Sequence, residues 1–249
     1  MKGRVVVCRE TGQPFDIDEY EVPLVEPGDI LLRMVQAGIC GSDLHIWRGE
    51  SANRALPPNG RVMGHEGFGI VEELGKGVTA DSLGTPLTVG DRVIHSAVYP
   101  CYKCHLCVRG QTNHCIARSY PEAGIHPFFT GTYCDYMYIQ NRHPVFKVPD
   151  EIPDDVLAPV NCAMGTVLQG LISAEAEQGI SVVVQGAGGL GQMATAIAKD
   201  MGVDQVIILD RLENRLSLAE EFGADYTINI EEFNTADARI NRVWELTRG

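Results

Sequence analysis

Four cysteines crowd into one stretch of the chain, as Cys101-x2-Cys104-x2-Cys107-x7-Cys115. Four thiolates at these spacings can wrap a tetrahedral zinc ion at ~2.3 Å and fill every coordination position, the arrangement of a closed, structural site. Two disulfides or free thiols are the alternatives, and in a long chain without an export signal the spacing favours metal ligands. His105 and His114 fall in the same stretch. Four sulfurs satisfy a metal without them, so both are expected to be solvated.

A second set of residues is dispersed. It comprises Cys40-Gly41-Ser42-Asp43-Leu44-His45, then Gly64-His65-Glu66, then Asn161-Cys162-Ala163. Two thiolates and an imidazole from Cys40, His65 and Cys162 would supply three ligands and leave a fourth position for water or substrate, as at catalytic zinc. Taken singly, each cysteine reads equally as a small buried hydrophobe and His65 as a satisfied core histidine.

The third constellation is Gly186-x-Gly188-x-x-Gly191, with Gly189 and Leu190 between the last two glycines. Its glycines suit a tight turn, a close approach of backbone to pyrophosphate, and tight helix–strand packing. It follows the apolar run Val182-Val183-Val184, opens a helix, and precedes Asp210 at the end of the next apolar run. A carboxylate there accepts from a ribose 2′-hydroxyl and repels a 2′-phosphate, which favours NAD over NADP. Arg211, a neighbouring cation, is the feature that could admit the phosphate, and Arg215 joins the candidate cofactor residues.

These residues need elements to hold them. Short β-branched runs divided by glycine and proline recur at Arg4–Cys8, Ile30–Gly38, Gly67–Leu74, Asp91–Ser96, Tyr133–Ile139 and Val145–Val148, which predicts an all-β domain over 1–155. Around Asp150–Asp155 the texture changes, and 156–249 is expected to hold linker helices over Val156–Glu177, broken at Pro159, and then a strand–helix–strand–helix–strand series. Strands at 181–184, 206–209 and 226–230, with helices over 192–201 and up to Phe222, make half of a doubly wound nucleotide-binding domain. A further helix is expected over Ala236–Thr247. The fold class is therefore mixed β and α/β, and no internal repeat interrupts it.

Composition narrows the partners. The 249 residues carry 33 acidic and 20 basic side chains, a net charge of −13. That balance disfavours nucleic acid and anionic membranes, no apolar run reaches the ~20 residues of a membrane span, and a cytoplasmic location is expected.

Taken together and in this order, the motifs resemble the medium-chain, zinc-dependent alcohol dehydrogenase family. They are Cys40 to His45, Gly64-His65-Glu66, Gly90-Asp91-Arg92-Val93, the four-cysteine lobe at about 100–116, Cys162 and the glycine fingerprint. The resemblance implies a GroES-like β-barrel catalytic domain followed by a Rossmann domain, incomplete here. It implies two zinc ions per chain, one catalytic at Cys40, His65 and Cys162 and one structural, together with NAD. Zinc would act as a Lewis acid on the alcohol oxygen and lower its pKa. Ser42 would bond that oxygen and pass its proton outward, His45 would release it to solvent, and Asp43 would orient His65 through its other ring nitrogen. Glu66 would stand beside the metal and exchange with water, or else be a buried carboxylate held by a nearby cation.

The activity so implied is oxidation of a primary or secondary alcohol to an aldehyde or ketone. A polyol or amino-alcohol dehydrogenase of the sorbitol or threonine type is the alternative. Cys162 in the third ligand position, with Thr166 four residues on, fits the plain alcohol form. A non-catalytic zinc- and nucleotide-binding protein is the rival from another class, and the full set of ligands and relay residues stands against it. The full-length form would be a homodimer or homotetramer. A six-stranded nucleotide domain needs three strands beyond those read here, so the chain is expected to be a fragment with weak NAD binding and little turnover alone. Trp47 is expected in the core, Cys8 and Cys134 as ordinary strand residues. His95, His126 and His143 have no partner legible in the sequence.

Overall fold

The computed structural model describes residues 1–50, 56–117 and 128–247, and the chain divides into two compact units, Met1–Cys162 and Ala163–Gly249. His126 lies outside the described residues.

The first unit is built on two antiparallel sheets. One has five strands in the order β7-β3-β5-β6-β8, from β3 (Ile30–Gly38), β5 (Glu66–Leu74), β6 (Arg92–His95), β7 (Tyr136–Ile139) and β8 (Val145–Lys147). The other has three, β2-β1-β4, from β1 (Lys2–Cys8), β2 (Asp16–Glu21) and β4 (Arg61–Val62). Alternation of apolar and polar residues places Ile30, Leu32, Val71, Val93, Met137, Ile139 and Val145 in one core, and Val5, Val7, Leu31, Phe129 and Tyr138 in a second. Leu31 and Leu32, adjacent in one strand, point into different cores, so β3 divides the unit. The sheets are stitched where Val6 N–H donates to the Tyr133 carbonyl at 2.9 Å and Val5 bridges Cys134.

Two elements of this unit escape the sequence pattern. β2 reads Asp-Ile-Asp-Glu-Tyr-Glu, too acidic to look like a strand. It forms because every residue of it pairs with β1 at the sheet's edge, where charged side chains face water. The helix α1 (Gly41–Trp47) has only seven residues, and its N-cap is Cys40, whose N–H donates to Oδ2 of Asp43 at 3.0 Å in a capping box. The strand expected from Tyr133 begins at Tyr136, because residues 133–135 turn aside to bond β1. α2 (His105–Val108) is one helical turn inside the four-cysteine lobe.

In the second unit three parallel strands lie in the order β11-β10-β9, from β9 (Ser181–Gln185), β10 (Gln205–Asp210) and β11 (Tyr226–Asn229). Val206, Ile207, Ile208 and Leu209 of β10 are all buried, the continuous apolar run of a strand covered on both faces. Val206 and Ile208 pack under α3 (Gly165–Ser173), α4 (Gly189–Asp200) and α5 (Glu213–Glu221), and Ile207 and Leu209 face α6 (Ala236–Thr247). β9 and β11 are the edge strands of this sheet among the described residues, and Val183 on β9 is 40% exposed. The linker helices expected over 156–177, broken at Pro159, are a short turn at Asp154–Val156, a single π-helical turn at Val160–Met164 and then α3. Pro159 explains the interruption, since it has no N–H for a regular helix. α4 starts three residues before the expected Gln192 because Gly188, in extended conformation, caps it.

Candidate functional site

Cys40 follows the end of β3 and enters α1, His65 precedes β5, and Cys162 sits on the π turn. Side-chain donors of Cys40, His65, Glu66 and Cys162 all lie within 4.8 Å of one another. The Cys40 and Cys162 sulfurs are 4.0 Å apart, against the about 3.8 Å that two sulfurs at ~2.3 Å span across a tetrahedral ion. This is too long for a disulfide, and all eight cysteines are free. Three of these donors are the expected ligands, and Glu66, 6% exposed, is the fourth group in the cluster. Gly38 makes room for it, since a Cβ there would meet Glu66 Oε2 at 2.7 Å.

Around this cluster the remaining expected residues take distinct places. The buried Asp43 reaches His65 Nδ1 with Oδ1 at 3.4 Å, leaving Nε2 toward the cluster and 3.5 Å from Ser42 Oγ. Burial alone would raise the Asp43 carboxyl, but bonds from His65, the Cys40 N–H and Tyr133 hold it below the ordinary carboxylate range. His65 is pushed up to about 11 by Asp43 and then by Cys162, against the opposing effect of burial. Cys162 is pulled down by His65, yet burial, Cys40 and Glu66 leave its thiol above the ordinary value. Three acidic donors around one imidazole form a site that a cation relieves. His45, 60% exposed, lies on the outer side of α1 with Nδ1 2.6 Å from Glu50 Oε2.

Two residues without an assigned role in the sequence prove central. Asn161 Nδ2 donates to the His65 carbonyl at 3.0 Å and its Oδ1 accepts from the Gly67 N–H at 3.3 Å, so the His65 segment and the Cys162 turn are tied directly. His95 Nε2 is 3.4 Å from the same amide, and His95 Nδ1 3.0 Å from the Ser96 carbonyl. Tyr133 places its hydroxyl between the Gly38 carbonyl at 3.0 Å and Asp43 Oδ2 at 2.9 Å. Trp47, expected in the core, is half-buried and packs against the cluster of Cys8, Ile46 and Met63.

The four-cysteine lobe is also assembled. The sulfurs of Cys101, Cys104, Cys107 and Cys115 lie within 4.8 Å of one another, with Cys101–Cys107 and Cys104–Cys115 each 4.0 Å apart. Backbone N–H groups, that of Cys107 first, draw Cys104 down to about 6, whereas burial pushes Cys107 up to about 12. Adjacent thiols so divided do not ionise together unless a cation stands among them. His105 and His114 are exposed, outside the sulfur cluster.

In the second unit the glycine loop is locked from below. Gly186 has φ +100°, and a Cβ at Gly191 would overlap the Gly186 carbonyl oxygen, so both positions require glycine. Asp210 Oδ2 accepts from the Ala187 N–H at 2.8 Å, and Oδ1 accepts from the Arg211 and Leu212 N–H groups at 2.8 and 2.9 Å. Burial would raise this carboxyl, and the three N–H bonds, aided by Arg215 at 3.8 Å, hold it low and ionised. Gln192 Nε2 fastens α4 to the Ala187 and Arg215 carbonyls. Gly189 and Leu190 are exposed at the helix start, and the Arg211 side chain is exposed as well.

Residues 26–150 match the family model of the alcohol dehydrogenase GroES-like domain and residues 189–248 that of the zinc-binding dehydrogenases. The chain is 34% identical to a 5-exo-hydroxycamphor dehydrogenase of Pseudomonas putida, over 87% of this chain and 60% of that protein. It is 32% identical to an L-threonine 3-dehydrogenase of Pyrococcus horikoshii, over 100% of this chain and 67% of that protein. The crystal structure of an alcohol dehydrogenase from Thermotoga maritima superposes with a TM-score of 0.91 at 32% identity, covering 100% of this chain and 68% of that one. The chain thus spans 60 to 67% of the length of these two curated relatives.

Proposed function

The chain belongs to the zinc-binding alcohol dehydrogenase family, and from that premise we propose that it serves an NAD-dependent oxidoreductase converting a primary or secondary alcohol to an aldehyde or ketone. The observation that carries this reading is the convergence of Cys40, His65, Cys162 and Glu66 on one point, with Ser42 beside it and His45 at the surface of the same helix. Cys40, His65 and Cys162 would hold the catalytic zinc, and Cys101, Cys104, Cys107 and Cys115 the structural one. Bound there, zinc supplies Lewis-acid polarisation of the substrate oxygen, and NAD supplies the hydride acceptor.

The chain's own residues do the rest. Asp43 fixes the tautomer of His65 by holding Nδ1, so that Nε2 is free to donate a lone pair. Ser42 Oγ, 3.5 Å from His65 Nε2, would hold the substrate's hydroxyl proton and pass it outward. His45, in solvent, is suited to release it, and Glu50 on its Nδ1 steadies the ring. Glu66 supplies a fourth, exchangeable donor beside the thiolates. In the second unit, Gly186, Gly188 and Gly191 leave backbone N–H groups open at the start of α4 for a pyrophosphate. Asp210 offers its remaining lone pairs to ribose hydroxyls, and its charge favours NAD over NADP.

The similarity to an L-threonine 3-dehydrogenase across the whole of this chain supports an amino-alcohol as the second reading. No described helix is long and apolar enough to cross a membrane. A reducing cytoplasm is the proposed compartment, since both centres need thiolates, and a homodimer or homotetramer is the proposed assembly of the full-length protein. Elemental analysis should give two zinc ions per chain, and the full-length protein, given NAD and a panel of simple alcohols, polyols and amino-alcohols, should show zinc-dependent reduction of the nucleotide. Turnover that persists after complete removal of zinc would sink the reading.

A further inference from the structure

Tyr133 is joined to every segment that carries the first two candidate ligands. Its main chain is fixed on both sides, with its N–H on the Met63 carbonyl at 3.1 Å and its carbonyl on the Val6 N–H at 2.9 Å. Its ring lies against Gly64, where a Cβ would stand 2.5 Å from Tyr133 Cδ1 and where φ is +89°, so glycine is required immediately before His65. The ring's apolar body packs with Ile46 of α1 and Met63, and its hydroxyl emerges between the Gly38 carbonyl and Asp43 Oδ2. A phenol that spends its one proton on two acceptors favours the charged one.

From this geometry we infer that Tyr133 is a positioning residue for the metal centre, acting through Asp43 on His65 and Cys40. The inference rests on the reading of Cys40, His65 and Cys162 as zinc ligands. Asp43 has two oxygens and two tasks. Oδ2 takes the Tyr133 hydroxyl and the Cys40 N–H, which leaves Oδ1 to hold His65 Nδ1. Without the hydroxyl, the buried carboxylate keeps a single N–H on Oδ2 and can rotate away from the imidazole. Loss of a partner that orients a ligating histidine typically weakens metal binding about 10- to 100-fold.

The test is zinc release from the native, fully loaded protein to a chromogenic chelator. The wild type should release two pools, and the four-cysteine lobe serves as the internal control because its ligands are local to 101–115. Tyr133→Phe keeps the ring over Gly64 and should speed release of the other pool by about tenfold or more, leaving the lobe unchanged. Asp43→Asn should affect the same pool, and Tyr133→Phe should add little in that background. Additive effects would mean that Tyr133 acts by packing alone and would overturn the inference, as would unchanged release from Tyr133→Phe. Should that variant fail to fold, a monofluorinated tyrosine at position 133, a stronger donor of the same shape, should slow release of this pool, and unchanged release would again overturn it. A wild type holding only the lobe's zinc would refute the ligand reading instead, leaving the two failures distinguishable.

Discussion

His143 is buried beneath the Tyr99 ring, 3.8 Å away and stacked, and 5.8 Å from the ring of His95. Burial, followed by the proximity of His95, lowers it from the ordinary histidine value to about 3. A lowered folded-state value means that the unfolded chain takes up a proton which the folded chain refuses. The contribution is therefore intact above the unfolded value of ~6.5 and is lost as pH falls through the window toward 3. At pH 5 the loss amounts to about 2 kcal/mol from this residue, as 1.5 pH units at about 1.4 kcal/mol each. His143→Phe keeps an aromatic ring against Tyr99 and removes the titration. It also removes two buried ring nitrogens whose polar neighbour is the Ser96 backbone, so the comparison rests on the change between the two pH values. The measurement is urea unfolding of the first unit at pH 7 and pH 5, followed by Trp47 fluorescence in a Trp244→Phe background. The wild type should lose about 2 kcal/mol more than the variant over that interval, while zinc loss cancels in the comparison. Parallel losses in the two proteins would refute the claim that His143 stays neutral in the folded state.

Two further outcomes follow from the sites themselves. Gly191→Ala places a methyl group on the Gly186 carbonyl and should lower the thermal midpoint of the second unit by several degrees while leaving the first unit's transition in place, as calorimetry can resolve. Cys104→Ser removes one of four converging sulfurs and should reduce the zinc content from two ions to one per chain, with the Cys40–His65–Cys162 pool retained in elemental analysis.

What could be read without coordinates depended on how local the cause was. The limits of β3 match the apolar run Ile30–Gly38 at both ends, and the four-cysteine lobe and the glycine loop follow from spacing alone, because their geometry is set within a few residues. β2 could not be read because its acidic composition is tolerated only by pairing with β1, a long-range cause. α1 was hidden by its brevity, although Asp43 three residues after Cys40 is a capping signal that could have revealed it. The π turn that carries Cys162 has no composition of its own beyond Pro159. Tyr133 and Asn161 looked like ordinary residues, since their importance lies in partners 90 to 96 positions away, at Asp43, Gly38, His65 and Gly67. An Asn directly before a candidate ligand was visible, but nothing in its neighbours showed which carbonyl it would meet.

The division of the chain after Cys162 has a bearing on how the protein is made. Every residue proposed to hold zinc lies in the first compact unit, Met1–Cys162, and the nucleotide loop lies wholly in the second. At about 5–20 residues per second, synthesis of the stretch from Ala163 to Gly249 occupies the ribosome for roughly 4–17 s after Cys162 is joined. The proposed metal loading and nucleotide binding are thus separable in time as well as along the chain. The thiols can be claimed by zinc, and so protected from oxidation, while the stretch proposed to bind the redox cofactor is still being made.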